Sequence, residues 1–595
     1  MSAYPMKGGH EYHPGDAPLK RSGWVHNAQY SKFIPVIPKR YMRLVFATIV
    51  SFGIWIFVHR LSSAQEAITD ENDTPEFPQA QMAPNPMFKL PPLYEAYREY
   101  EDSVSEKNLR GQNGTQRYIF FANQAYGCGW GNVLQEIVLN TLLAEEADLG
   151  YAWGDYTWGK KSDYSDYNGK KIPSRIPLST MVAGHILGLD PPNSEGTLPP
   201  SISSRAFDKI CPKNERTVIH KDLVQAYLRE QSPPTTLDSD SGDKVLQGWV
   251  SYLTQPELKK ARCIEVKEDS FVAFDIWLFG SSRMHSVWGK LSQSLVLKLW
   301  QFSPLIRGMF EKNRALFSSS PPARGFWQWI WTILGGNEQT QECDSDSDSA
   351  PCVLDLHLLN DSQPLPLLVL HLRRGDFHEH CVNLAEWGSS FTAFNSFPQF
   401  QVRDRFDPPS IGSISDLEAE DNDGVPTIVE SMDERKRVYT QHCFPDVKQI
   451  VRRVRDTVHD YVGVAAAREK AENTSIWWAG RAQFATPQQR LSRVYIMTNG
   501  DPAWLAGVKA ALLDDLPRAG RSGGDWEFDW NWEGVYTSRD LSLGWEEKPV
   551  AQALDSYIAH RAELFIGNGF SSLTSNIVML RMKNPAIDPV QTRFW

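Results

Sequence analysis

Two short stretches far apart in the chain carry the residues best suited to chemistry: His371-Leu372-Arg373-Arg374-Gly375-Asp376 and Phe565-Ile566-Gly567-Asn568-Gly569-Phe570-Ser571-Ser572-Leu573-Thr574. Guanidinium forks match phosphate oxygens two at a time, so Arg373 and Arg374 supply fixed cations for a phosphate. Glycines followed by small hydroxyl residues at the start of a helix supply N–H and O–H donors where the helix dipole favours an anion. Read together, the stretches predict two walls of one pyrophosphate site. Each alone has an ordinary reading, the first as a solvated turn with a local ion pair and the second as a helix cap.

Each stretch follows an apolar run that must position it. Leu367-Leu368-Val369-Leu370 reads as a buried strand delivering the arginines at its C-terminal end, and Leu564-Phe565-Ile566 as a second strand. Ser571 or Ser572 is expected to cap a helix running through Asn576-Ile577-Val578-Met579-Leu580. Further strands are predicted at 118–121, 271–274 and 494–497. Helical spacing marks 133–147, a stretch around 295–310, and 445–470, 502–514 and 550–561. Strands alternating with helices imply parallel α/β layers.

These segments resemble the GDP-fucose protein O-fucosyltransferases and the wider fucosyltransferase group of GT-B fold. The resemblance rests on His371-Leu372-Arg373, on Asp555 followed by Phe565 to Asn568 and then Ser571, Ser572, Leu573 and Thr574, on Val494 to Asp501, and on Gly127-Cys128-Gly129-Trp130-Gly131-Asn132. Leu573 stands where the family pattern has Phe, and Asn499 where it has Asp. The segments occur in family order over roughly residues 116 to 595. The resemblance implies two Rossmann-like domains facing a cleft and an inverting, metal-independent transfer of fucose from GDP-fucose to a hydroxyl of a protein or glycan, with no cofactor.

By the same resemblance, Arg373 is the group for the β-phosphate, with Arg374 assisting or pairing with Asp376. Ser571, Ser572, Leu573 and Thr574 cradle the phosphates, and His371 and Asp555 contact the nucleoside. In the N-terminal Gly-rich loop, Asn132 matches the Asn that other members use and joins Arg373 and Asp376 as a catalytic candidate, while Gly129 and Gly131 are expected to line the substrate site. Some relatives carry a Glu in that loop where this chain has Cys128 or a Gly. The base is therefore left among Asp376, Glu379 and the departing phosphate oxygen. A non-catalytic nucleotide- or glycan-binding member, or a transferase using another nucleotide sugar, is the alternative.

Composition agrees with a large enzyme outside the nucleic-acid classes. The chain has 595 residues, 41% of them hydrophobic, enough for more than one core, and a net charge of −11 without a clustered basic face. Leu44 to Val58 is uncharged and almost wholly apolar; Lys32, Lys39, Arg40 and Arg43 precede it, while Glu66, Asp70, Glu71, Asp73 and Glu76 follow. That asymmetry predicts a single-pass signal anchor with a cytoplasmic N-terminus and a lumenal body in the Golgi or endoplasmic reticulum. Sequons at Asn72, Asn113, Asn360 and Asn473 fit such a compartment. So do seven cysteines without a metal-type Cys-x-x-Cys pattern; Cys381 with Cys443, Cys343 with Cys352 and Cys211 with Cys263 are candidate pairs that leave Cys128 free.

The expected organisation is a tail over 1–40, an anchor over 41–60 and a Pro-rich stem over 61–115. An acceptor-side Rossmann-like domain over 116–360 and a GDP-sugar-binding one over 361–595 follow. The Asp-Ser repeats at 238–240 and 344–348 read as solvated linkers rather than metal motifs. The aromatic run from Phe326 to Trp331 reads as packing of a loop.

Overall fold

Apolar runs too short for helices and bounded by turn residues build two all-parallel sheets, each of five strands. The computed structural model describes residues 90–110, 114–167, 169–189, 199–270, 272–317, 363–375, 377–412, 428–475, 491–521 and 530–595. The anchor segment, Asp376, Cys343, Cys352 and the aromatic run from Phe326 to Trp331 lie outside these residues. Among the described residues no helix is long and apolar enough to cross a membrane.

The first sheet contains β1 (Tyr118–Phe121), β2 (Gly150–Trp153), β3 (Ile202–Ser203), β4 (Thr217–Ile219) and β5 (Cys263–Val266), in the order β3-β2-β1-β5-β4. The second contains β6 (Leu365–Leu372), β7 (Arg493–Thr498), β8 (Gly534–Thr537), β9 (Ala562–Gly567) and β10 (Thr592–Phe594), in the order β8-β7-β6-β9-β10. In both, the first strand in sequence lies at the centre and the order reverses beside it. Ligands of open parallel sheets bind outside the carboxyl ends of the strands at such a reversal. In the second sheet it lies between β6 and β9, the strands that end in Leu372, next after His371, and in Gly567.

Helices needed here are α1 (Glu95–Arg110), α2 (Trp130–Glu146), α3 (Phe377–Trp387), α4 (Met432–Cys443), α5 (Val447–Ser475), α6 (Pro502–Arg521), α7 (Ala551–Arg561) and α8 (Ser572–Lys583). Strand alternation divides the central strand between two cores. Leu368, Leu370 and Leu372 pack with Ile450, Val454 and Val508 of α5 and α6, whereas Leu367 and Val369 join the larger core that contains Ile577 and Val578 of α8. This division later decides the fate of the two arginines.

Three sequence expectations change. The polar stretch assigned to the stem ends inside the folded body: Tyr94, Tyr97 and Val104 are buried, the Tyr94 hydroxyl donates to the Glu546 carbonyl (2.7 Å), and Glu101 pairs with Arg205 (3.0 Å). An amphipathic α1 masked by its charges therefore packs on residues far along the chain. The strand predicted at 271–274 is absent among the described residues of that stretch; Ala273 and Phe274 are core residues in irregular backbone. The sheet instead uses Cys263–Val266, whose apolar run is interrupted by Glu265, held there by Arg216 (2.7 Å). The helix expected around 295–310 is split. Pro304, which has no N–H to continue the ladder, opens Pro304–Lys312 as a second helix.

Among the described residues two disulfides fasten these layers. Cys211–Cys263 ties the end of a short helix to β5, with Cα atoms 5.7 Å apart, and Cys381–Cys443 ties α3 to α4 at 5.9 Å. Cys128 is free.

Candidate active site

Val369, Leu370, His371 and Leu372 alternate across β6, so His371 emerges on the face that meets α8. Its Nδ1 lies 2.7 Å from the Thr574 hydroxyl in the first turn of that helix. Burial, with Arg373 adding to it, pushes the imidazole down to about 3, so the ring is neutral at any physiological pH. It thus aligns the first turn of α8 without carrying charge. The indole N–H of Trp595 donates to the His371 carbonyl (2.9 Å), closing the strand end from the other side.

The same alternation separates the arginines. Arg373 is half-buried, with its guanidinium 4.7 Å over the ring of Phe377 at the start of α3. Arg374 points to the opposite layer, buried between Trp504 (3.9 Å) and Phe444 (4.1 Å), and donates to the Pro445 carbonyl. Burial lowers its pKa to about 10, partly offset by Asp446. The Arg374 guanidinium is thus held between two rings and by a backbone carbonyl, with its Nε buried and without a hydrogen-bond partner. The parity of the strand decides which arginine is buried between these two rings.

Asn499 explains itself in the same place. Its Oδ1 accepts from the Arg374 N–H (2.7 Å) and its Nδ2 donates to the Arg374 carbonyl (3.1 Å). A carboxylate could only accept, so this turn favours the amide. Asn499→Asp is expected to lower unfolding stability by about 1–3 kcal/mol, since it leaves the carbonyl without its donor. Chemical denaturation of the two proteins checks this.

The second wall begins where β9 turns into α8. A methyl built on Gly567 would lie 2.4 Å from the Thr574 methyl, so only glycine lets the strand end pass this close to the helix. Asn568 Nδ2 donates to the Cys443 carbonyl (2.9 Å) and its Oδ1 accepts from the Phe570 N–H (3.0 Å), linking the turn to the disulfide. Asn395 holds it from outside, donating to the carbonyls of Gly569 (2.9 Å) and Ser571 (3.1 Å). Ser571 occupies the position before α8, but its side chain makes no capping bond, contrary to expectation. The first-turn N–H groups of Ser572, Leu573 and Thr574 have no carbonyl one turn back to accept them.

The Gly-rich loop meets this helix start directly. Asn576 Nδ2 donates to the Gly131 carbonyl (2.8 Å), and a methyl on Gly131 would lie 2.6 Å from the Leu573 nitrogen and 2.8 Å from Ser572 Oγ. Segments leaving the carboxyl ends of β1 and β9 thus touch backbone to side chain and nearly backbone to backbone. Asn132, next along, has an exposed side chain, and Gly129 precedes α2 with nothing within 4 Å of a built methyl. Beneath the loop, the buried Glu136 accepts from the Ala125 N–H (2.9 Å), and burial pushes its carboxyl up to about 7. Glu136 anchors the loop rather than lining the cleft.

Asp555, on α7, stands at the carboxyl ends of β7 and β8. It accepts from Tyr495 (2.6 Å) and Ser538 (3.0 Å to each oxygen). Burial raises its pKa to about 6. Glu379 is exposed on α3. Asn395 and Ser538 escaped sequence reasoning, and Asn568 and Tyr495 stood in the motif segments without a role, because each acts through a contact distant in the chain. Among the described residues no three His, Cys, Asp or Glu side chains converge as a metal site.

No family model matches the sequence. No curated protein matches it either. Among solved structures the chain is similar to POFUT1 in complex with GDP-fucose, at a TM-score of 0.39 and 11% identity over 81% of this chain and 98% of that one. It is also similar to NodZ alpha-1,6-fucosyltransferase soaked with GDP-fucose, at 0.27 and 11% over 78% and 93%. With values of this size, the fold description rests on the strand order above and the function on the site's own residues.

Proposed function

We propose that this chain transfers a sugar, fucose by the motif resemblance, from a GDP-linked donor to an acceptor hydroxyl with inversion at the anomeric carbon. One observation carries the reading: His371 at the end of β6 is hydrogen-bonded to Thr574 in the first turn of α8, at the reversal point of the second sheet. That bond brings together the two stretches whose residue types fit a phosphate. Arg373 lies two residues beyond His371.

In this reading the acceptor oxygen forms a bond to the anomeric carbon while the bond from that carbon to the β-phosphate oxygen breaks. The acceptor's proton passes to a base on the acceptor's own face of the sugar, for which Asp376 and Glu379 are the candidates, while the growing negative charge of the departing phosphate on the opposite face is met by Arg373 and the first-turn N–H groups of α8. Preformed donors of this kind need no rearrangement as the charge develops. Asp555 accepts from guanine N–H groups, and its partners Tyr495 and Ser538 hold it in place.

Incubating the full chain with GDP-fucose, GDP-mannose and UDP-sugars separates the readings. GDP release and thermal stabilisation by GDP are expected with the first donor. Stabilisation without release, with or without acceptors, favours a binding protein of the same fold, and no response to GDP rejects the site.

The Asp555 assignment gives a pH signature. Its folded-state pKa, about 6, exceeds its ordinary value, so the folded chain takes up a proton as pH falls through about 6. The unliganded protein then gains stability from this group on acidification, whereas GDP, which needs the ionised form, binds up to about tenfold more weakly per unit below pH 6. Calorimetric titration at pH 5, 6 and 7 checks this, and Asp555→Asn should bind weakly at all three.

A further inference from the structure

The turn from β9 into α8 is fastened from outside by a strap, Phe391 to Ser396, whose Asn395 stands 174 residues before Gly569 in the chain. The Thr392 N–H donates to the Gly569 carbonyl (2.8 Å), and the Phe394 N–H donates to the Ser575 hydroxyl of α8 (3.2 Å). Between these two fastenings the Asn395 amide spans the turn, reaching the carbonyls of both Gly569 and Ser571. Carbonyls only accept, so both bonds need the Nδ2–H groups, which neither Asp nor Ala supplies. The Phe391 ring closes over the turn so tightly that a methyl built on Gly569 would lie 2.4 Å from it.

The strap carries two unfavourable features. Ala393 stands at φ +45°, in the left-handed region that a side chain rarely adopts, and the Asn395 Oδ1 is buried without a hydrogen-bond partner. Such features persist where the surrounding structure holds a segment in one place, and they gather at functional sites. Here the hold comes from the first half of the chain. His285 Nε2 lies 3.2 Å from the Ala393 carbonyl, which only accepts, so this nitrogen carries the proton and donates. The same nitrogen lies 2.9 Å from the Ser396 hydroxyl, and the imidazole lies 4.4 Å from the Phe397 ring. The start of α8 is therefore met by two routes, directly at Gly131 and through the strap from His285.

We infer that Asn395 is a positioning residue of the donor site, fixing where the first-turn N–H groups of α8 point, and that His285 holds it there through the strap. The inference rests on the donor reading above, in which those groups meet the phosphates. Gly569 and Ser571 flank Phe570 immediately before Ser572, Leu573 and Thr574, so an amide that ties both carbonyls sets the direction in which the helix starts. Ser571 makes no side-chain cap of its own. The Asn395 amide thus gives from outside the restraint that a cap ordinarily gives from within. Donors that stabilise a developing charge act best when they are already aimed and cannot swing. Asn395 acts through the turn, since both of its N–H groups are occupied by the two carbonyls.

The test titrates GDP into the full chain and into Asn395→Ala, with melting temperatures measured on the same samples. Asn313→Ala is the control for stability alone: that buried amide also joins two carbonyls, of Met309 (2.8 Å) and Ser542 (3.1 Å), neither of which belongs to the turn. At a temperature where all three are folded, Asn395→Ala is expected to bind GDP about tenfold more weakly, while Asn313→Ala melts earlier and binds within about twofold of native. His285→Ala, at a half-buried position, should weaken binding about threefold, and His285→Gln, whose amide can donate to the Ala393 carbonyl, should restore it. Native affinity in Asn395→Ala overturns the inference, as does an equal loss in Asn395→Ala and Asn313→Ala. Where Asn395→Ala does not fold, native affinity in His285→Ala overturns it instead. Absence of GDP binding by the native chain is a different result: it rejects the donor reading and this inference with it.

Discussion

Replacing Arg373 with alanine is expected to lower turnover of the GDP-sugar about 10³-fold, the loss typical for one preorganised charge-stabilising donor. The fold should be untouched. Arg373 is half-buried just past the end of β6 and lies over Phe377, a residue of the larger core. Substitution there removes the contact with the Phe377 ring, at a cost of about 1 kcal/mol in unfolding stability. Lysine at this position restores the charge but not the planar fork, so partial recovery is expected. Arg374→Ala should behave in the opposite way. It removes a cation stacked between Trp504 and Phe444 and leaves the Pro445 carbonyl without its donor, so stability falls while the reacting groups remain. Measuring kcat and melting temperature for both variants decides the assignment; a turnover loss in Arg374→Ala alone, with Arg373→Ala active, reverses it.

Gly131→Ala is expected to damage both stability and donor binding, although it adds only a methyl group. That methyl would lie 2.6 Å from the Leu573 nitrogen and 3.0 Å from its Cα, and backbone cannot step aside as a flexible side chain can. Forcing an atom into so close a contact typically costs about 1–3 kcal/mol. Relief requires the start of α2 to move from the start of α8, which shifts the N–H groups proposed to hold the phosphates. A displacement of about 1 Å in a positioning element can reduce rate about 10²-fold. Gly129→Ala is the control for stability, since nothing lies within 4 Å of its added methyl and its backbone φ of −64° suits any residue. Thermal melting and GDP titration of the pair measure the contrast. Equal behaviour of the two variants removes the Gly131 contact from the argument.

The strands nearest the site were legible in the sequence because buried parallel strands are continuous apolar runs. Leu365–Leu372, Arg493–Thr498 and Ala562–Gly567 extend the predicted strands by one or two residues at their ends. Elements whose apolar residues are diluted by charge were not legible. Helix α1 has the composition of a linker until Tyr94, Tyr97 and Val104 find partners, and Cys263–Val266 is broken by a glutamate whose arginine lies on another segment. The disulfides Cys211–Cys263 and Cys381–Cys443 were open to guesswork only, because spacing does not encode connectivity.

Residue type and local order determined the rest of what could be known early: that Arg373 and the Ser571–Thr574 turn are groups fit for a phosphate, and that each follows a strand. Which of two adjacent arginines is buried between aromatic rings, why Asn499 suits its turn, and why Gly131 cannot carry a side chain were decided only by the tertiary structure. The physical reason is common to all three. A side chain's chemistry belongs to its residue, but its freedom to act depends on the face of the sheet it occupies and on the partners that face brings, here from α8, from the Trp504 and Phe444 rings, and from a loop several hundred residues away.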